Sequence, residues 1–412
     1  MDAIEYLTHK SLKEALEDPG TQEVLQDIIR LKSYQLQDHI LLQTSWPDFK
    51  NFLDYFFHKY QFREVSFDQF TRELNTNLGI NIRSLVENWF IEQGVPAFYI
   101  KDIKPVRTQE NEQNKVYLNF KIWNRSQVTG VISVEESLKE NKGFRHMQGQ
   151  LIHPNESIEI YYLIEDSLPP DKTKHALINR SFYLNTNYSR NLPGISGLIF
   201  GAPIPEVLLS DIQTIRPVDS TSFLAPSNEI IVDDNDPGFR IIQEELPFFQ
   251  KLRKQPKKYN YIQFNIPHRW TRAVETGAYG DIMPTCFCKT EGGRSKVEWS
   301  AEIKKGGTYE LFIYSYQLEN CSNLKRPPYD YTFHHDGKEE RILFDPTTGK
   351  SKVHIYYTDK NVEEKKVDFP FGWISLGEYA LSPGKIKLIL HDKGLSADQI
   401  LVVDAVKWVK RE

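Results

Sequence analysis

Four oxygen-bearing side chains stand together at Asp233, Asp234, Asn235 and Asp236, just before Pro237-Gly238. Oxygen-rich loops suit hard cations, so Asp233, Asp234 and Asp236 are candidate ligands for a structural calcium ion. The same side chains could instead cap the backbone of their own turn, a usual role for Asp and Asn in turns. The adjacent histidines His334 and His335 precede Asp336; on a strand their rings point to opposite faces and cannot chelate one ion together. A hydrolytic zinc centre needs two histidines one helical turn apart, a third ligand and a glutamate to activate water. No His-Glu-x-x-His occurs in the chain, and His9, His39 and His58 each lack a histidine partner at i+4. There is no Gly-x-Ser-x-Gly elbow and no glycine-rich phosphate loop, so catalysis by this chain is not expected. Cys286, Cys288 and Cys321 are too few for a disulfide framework and are expected to be reduced.

The elements that must position these groups belong to a chain of 412 residues, long enough for two to four domains. Aromatic residues make up 13% and the net charge is −5, which describes a globular chain and offers no basic stripe for nucleic acid. The dense basic run Lys251 to Lys258 reads as a solvated loop. No apolar run reaches the roughly 18 residues of a membrane span, and Met1-Asp2 does not open a signal peptide.

Residues 1–97 read as an α-helical domain. Ser11 with Glu14 and Ser66 with Gln69 are capping boxes, and Thr21 and Ser45 are further N-cap candidates. Phe49, Phe52, Leu53, Phe56, Phe57 and Tyr60 form the apolar stripe of one helix. Ile82, Leu85, Val86, Trp89 and Phe90 form another, ended by Gly94 and Pro96. From Phe98 the period becomes two: Val116, Leu118, Phe120 and Ile122 alternate with polar or aromatic neighbours. Short strands with turn signals between them predict an immunoglobulin-like β-sandwich over 98–191. The Pro- and Gly-rich stretch 192–228 reads as a linker, and alternation resumes through 229–412. The fold class expected is multidomain α + β: a helical bundle, an immunoglobulin-like sandwich and a jelly-roll-like sandwich.

Two resemblances refine this. The run Asn51 to Ile100, with Tyr60-Gln61-Phe62, Asp68-Gln69-Phe70, Trp89 and Gly94-Val95-Pro96, resembles the end of the catalytic region in aminopeptidase N-like gluzincin metallopeptidases. That implies an upstream catalytic domain carrying the zinc, in an exported parent whose signal lies outside this chain. Glu229–Phe239, Lys296–Tyr316, Tyr331–Gly337, Gly372–Leu381 and Val402–Trp408 resemble, in order, the golvesin-like module, also found at the ends of bacterial xanthan lyase-type proteins. The material at 240–278 departs from that pattern. The second resemblance implies binding of a polysaccharide or cell-envelope glycan, a task for aromatic faces flanked by polar groups. Trp270, Tyr279, Tyr314, Tyr316, Tyr329 and Tyr331 are the candidates, whereas Trp299, Trp373 and Trp408 are expected in the core. The function expected is a non-catalytic glycan- or surface-binding region of a larger metallopeptidase. A stand-alone adhesion protein and an accessory region of a polysaccharide lyase are the alternatives.

Overall fold

Hydroxyl caps open helices in the computed structural model of the chain where local spacing calls for them. The described residues are 3–110, 113–138, 143–168, 182–192, 194–198, 204–212, 214–243, 268–275, 277–280, 282–316, 324–346, 354–356, 372–396 and 398–411. The helices are α1 (Ala3–His9), α2 (Leu12–Glu17), α3 (Leu25–Leu41), α4 (Trp46–Lys59), α5 (Phe67–Leu78) and α6 (Arg83–Ile91). Ser11 and Ser66 form complete capping boxes at α2 and α5, and Ser45 caps α4 with Pro47 in its first turn. Thr21 does not cap α3: its hydroxyl donates to the carbonyls of Ala15 and Asp18, and α3 starts after Val24 with no side-chain cap. In α4, Phe49, Phe52 and Phe56 are buried, but Phe57 is 66% exposed, so the stripe is narrower than its aromatics suggest. The side chains of Leu85 and Val86 lie outside the described residues. Beyond α6, Gly94 takes φ 108° and its N–H donates to Leu7, tying the chain back to α1.

The chain divides into two compact units, Met1–Phe223 and Leu224–Glu412. The first contains the helices and, among the described residues, eight strands: β1 (Phe98–Glu110), β2 (Gln113–Asn124), β3 (Gly130–Leu138), β4 (Gly143–Ile152), β5 (Ser157–Leu168), β6 (Phe182–Asn185), β7 (Ile195–Leu198) and β8 (Ile215–Pro217). They form two four-stranded antiparallel sheets, β1-β2-β5-β8 and β4-β3-β6-β7. Val116, Leu118, Phe120 and Ile122 of β2 are wholly buried in one core with Ile132, Val134 and Phe182 of the other sheet, as the alternation requires. The stretch expected as a linker supplies two of these strands. β7 pairs with β6 and β8 with β5.

The second unit contains thirteen strands among the described residues: β9 (Glu229–Val232), β10 (Phe239–Ile242), β11 (Thr271–Val274), β12 (Thr285–Thr290), β13 (Lys296–Ile303), β14 (Gly307–Ser315), β15 (Tyr329–His335), β16 (Lys338–Phe344), β17 (His354–Tyr356), β18 (Gly372–Leu381), β19 (Gly384–His391), β20 (Ile400–Val403) and β21 (Val406–Lys410). They form sheets β10-β13-β19-β15-β16-β17, β18-β14-β21-β9 and β11-β12-β20. Trp299 and Trp408 are fully buried in the core that the two larger sheets share. Most of 240–278, including the basic run Lys251 to Lys258, lies outside the described residues, as does Cys321. Among the described residues no helix is long and apolar enough to cross a membrane.

Candidate functional site

Strand β14 sets the geometry. Tyr309, Leu311 and Ile313 are buried at 4%, 0% and 3% exposure, so Phe312 and Tyr314 stand on the other face, half-buried. Opposite them, β18 would continue in plain register but for a bulge. Leu311 pairs with Gly377 and Phe312 with Ser375, which leaves Leu376 as the extra residue; Gly377 takes the turn at φ 122°. The slip of one residue keeps Ile374 beside Ile313 in the core and sets Trp373 directly across from Tyr314. Trp373 is therefore on the outer face and not in the core where the sequence pattern put it.

Tyr279 completes the arrangement from the loop after β11. Its ring lies 5.6 Å from Tyr314 and 5.1 Å from Trp373, and those two rings are 5.2 Å apart. All three are tilted or edge-to-face, a favourable geometry for aromatic quadrupoles, and all are half-buried. Lys407 of β21, cross-strand from Phe312, puts its ammonium 4.7 Å from the Trp373 ring centre and 5.3 Å from that of Phe312, with Glu229 at 3.4 Å. The result is a patch of rings flanked by one cation and one carboxylate.

A buried backbone hub holds the patch. Asp404 Oδ2 accepts the Tyr279 N–H at 2.8 Å, the Ala405 carbonyl accepts the Tyr314 N–H at 2.8 Å, and the Asp404 carbonyl accepts the Trp299 indole N–H at 2.7 Å. Burial pushes the Asp404 carboxyl well above the usual range, with the nearby Asp233 and Asp234 charges adding to the effect. Burial likewise raises Asp233 to about 8, helped by Asp234. Burial also raises Asp234, to about 6, although Arg272 and the Thr285 hydroxyl act against it. The Tyr314 phenol is raised by burial and by the Asp404 charge.

The six aromatic candidates separate. Tyr279 and Tyr314 share the patch. Tyr316 is half-buried and donates to Glu275 Oε2 at 3.0 Å. Trp270, Tyr329 and Tyr331 are core residues at 4%, 2% and 2% exposure and offer no ring face to a ligand. The Tyr329 hydroxyl bridges the N–H and carbonyl of Val402 instead. The acidic run behaves as a turn. Asp236 Oδ2 accepts the Asp233 N–H at 2.8 Å, and the Thr285 hydroxyl lies 2.7 Å from both oxygens of Asp234. Among the described residues no three His, Cys, Asp or Glu side chains are arranged to hold a metal ion. Of the candidate calcium set, Asp236 Oδ2 serves the turn and both Asp234 oxygens meet Thr285, while Asp233 Oδ1 is buried with no hydrogen-bond partner among the described residues. His334 and His335 alternate faces as expected and pair separately with Glu339 and Glu340.

No family model matches the chain, and no curated protein is similar to it. Among solved structures it is similar to a Paenibacillus xanthan lyase, with 14% identity over 76% of this chain and a TM-score of 0.28. It is also similar to the CBM35 module of Cellvibrio japonicus Abf62, with 12% identity over 45% of this chain and 94% of that one, TM-score 0.23. A Bacteroides uniformis β-glucuronidase matches with 11% identity over 77% of this chain and 30% of that one, TM-score 0.21. The chain spans 25% of the length of the xanthan lyase. Likeness this weak assigns no function to the patch; its side chains must.

Proposed function

We propose that the C-terminal unit binds glycan chains through Tyr279, Tyr314 and Trp373. The observation that carries this is the three-ring patch with rings 5.1 to 5.6 Å apart, brought to one face by the β18 bulge and flanked by Lys407 and Glu229. Rings of this kind stack on the C–H faces of pyranose units, while the cation and carboxylate hydrogen-bond to hydroxyls. The proposal agrees with the golvesin-like resemblance, which reads the unit as a jelly-roll-type module, and with the names of the xanthan lyase and CBM35 neighbours; it does not rest on those neighbours. On this reading the chain is a non-catalytic region that anchors a larger, exported protein to a polysaccharide or cell surface. A zinc metallopeptidase as that larger protein has support only from Asn51 to Ile100.

Affinity electrophoresis of the full chain in gels containing xanthan, galactomannan or mixed-linkage β-glucan tests it. Retardation by at least one polysaccharide is expected, with a tenfold or greater loss for W373A and for Y279A. Unchanged retardation in both variants would refute the assignment.

A further inference from the structure

The N-terminal unit has a partly open cavity of about 500 Å³ between α3 and the β3–β6 part of its second sheet. Asp38 enters it from α3, Glu135 from β3 and Asn185 from β6, with Asn187 and Tyr188 following β6. Leu31, Leu41 and Val131 give it an apolar wall. Part of the polar hydrogens of this lining is committed. Asn185 Nδ2 donates to Glu135 Oε1 at 3.2 Å, Asn187 Nδ2 to the Val131 carbonyl at 3.2 Å, and the Tyr188 N–H to Asp38 Oδ2 at 3.3 Å. Asp38 Oδ1 and Glu135 Oε2 accept no hydrogen bond among the described residues, and the described lining contains no Lys, Arg or His. Tyr188, 6% exposed, lines the same cavity, and its hydroxyl has no hydrogen-bond partner among the described residues.

A cavity with two carboxylates, no basic side chain in its described lining and an apolar wall is complementary to a cation on an apolar body. We propose that it binds a small molecule carrying a protonated amine on an apolar group, with the ammonium taken by Asp38 and assisted by Glu135. The site lies in the other unit from the ring patch and does not depend on glycan binding.

Burial pushes the Asp38 carboxyl up to about 7, with the Tyr188 N–H opposing the shift and the Glu135 charge adding to it. An ammonium ligand needs the ionised form, so binding and proton release are linked. The groups facing Asp38 are Glu135 from β3, Tyr188 from the segment after β6, and Tyr34 and His39 on α3 itself. Burial lowers His39 to about 4, leaving it neutral above pH 6. Lys32 sits beyond the Tyr188 ring, its ammonium 5.8 Å from the ring centre; burial lowers it to about 8, so the test stays below that pH.

The probes are 4-phenylbutylamine and its neutral match 4-phenylbutanol, titrated calorimetrically into the full chain. The amine is expected to bind and the alcohol to bind at least tenfold more weakly. Amine affinity should rise about eightfold from pH 6.0 to 7.5, following the ionised fraction of a group titrating near 7. D38N keeps an acceptor for the Tyr188 N–H and should lose tenfold or more together with the pH dependence; E135Q should lose less. Equal affinity for amine and alcohol, undiminished binding by folded D38N, or no amine binding at 10 mM would overturn the proposal. Should D38N fail to fold, a flat pH profile of the wild-type chain overturns it alone.

Discussion

Replacing Asp233 by Asn probes the electrostatics behind the ring patch. Burial, then the charges of Asp234 and Asp236, pushes the Asp233 carboxyl up to about 8, whereas an exposed aspartate titrates near ~3.9. Between those values the folded chain holds a proton that the unfolded chain has released. Raising the pH therefore favours unfolding, and the contribution present below about pH 4 is lost progressively up to about pH 8. At roughly 1.4 kcal/mol per pH unit the full loss would be about 6 kcal/mol. Residual hydration of a side chain that is not wholly enclosed reduces this to about 2–3 kcal/mol. Asn keeps the shape and carries no charge, so D233N escapes the loss. At about 2–4 °C per kcal/mol for a domain of this size, the variant should melt about 5–10 °C above wild type at pH 8. At pH 4.5 the two should nearly coincide. Differential scanning calorimetry of the full chain between pH 4.5 and 8 reads both. A Tm difference that is the same at both ends, or a D233N chain that melts lower at pH 8, would refute the buried-acid account.

The buried pair Lys289–Asp392 offers a second perturbation, since the lysine side chain is 7% exposed and the aspartate 0%. K289M strands the Asp392 carboxylate and should cost about 3–5 kcal/mol in chemical denaturation. The double variant K289M/D392L should regain most of it, and a double variant as weak as the single one would contradict this. Calcium is tested by melting the chain in EDTA and in calcium chloride. With Asp234 held by Thr285 and Asp236 serving the turn, the two Tm values should agree within about 1 °C, because only a ligand that binds the folded state shifts stability.

What the sequence revealed and what it hid follow from the range of each interaction. Ser11 and Glu14 are three residues apart, and the box they form is complete without help from the rest of the chain. The alternation of β2 is equally local, and Val116 to Ile122 are buried as read. The Asp38 cavity depends on a contact 150 residues long, to Tyr188, and no spacing rule reaches that far. The same holds for Asp404, which joins Asp233 and Asp234 only because β21 pairs with β9. β8 escaped notice because it is three residues long and ends in proline; Pro suits an edge strand, which it is.

The aromatic candidates show how far local reasoning could have gone. Residues at i and i+2 of a strand share a face, so Tyr329, Tyr331 and Phe333 must go in or out together. The pairing of Tyr331 with Leu390 and of Phe333 with Leu388 on β19 takes them in. By the same parity, once Tyr309, Leu311 and Ile313 are granted to the core, Tyr314 is forced outward with Phe312. Sorting tyrosines by strand parity would thus have removed Tyr329 and Tyr331 and retained Tyr314. It would still have failed at Trp373. Counting back by twos from the buried Leu381 and Tyr379 keeps Trp373 inside, and only the unpaired Leu376 reverses the parity. A bulge is a property of two strands in register, not of one strand's composition, and the position on which the proposed glycan patch most depends is the one a single-strand reading places on the wrong face.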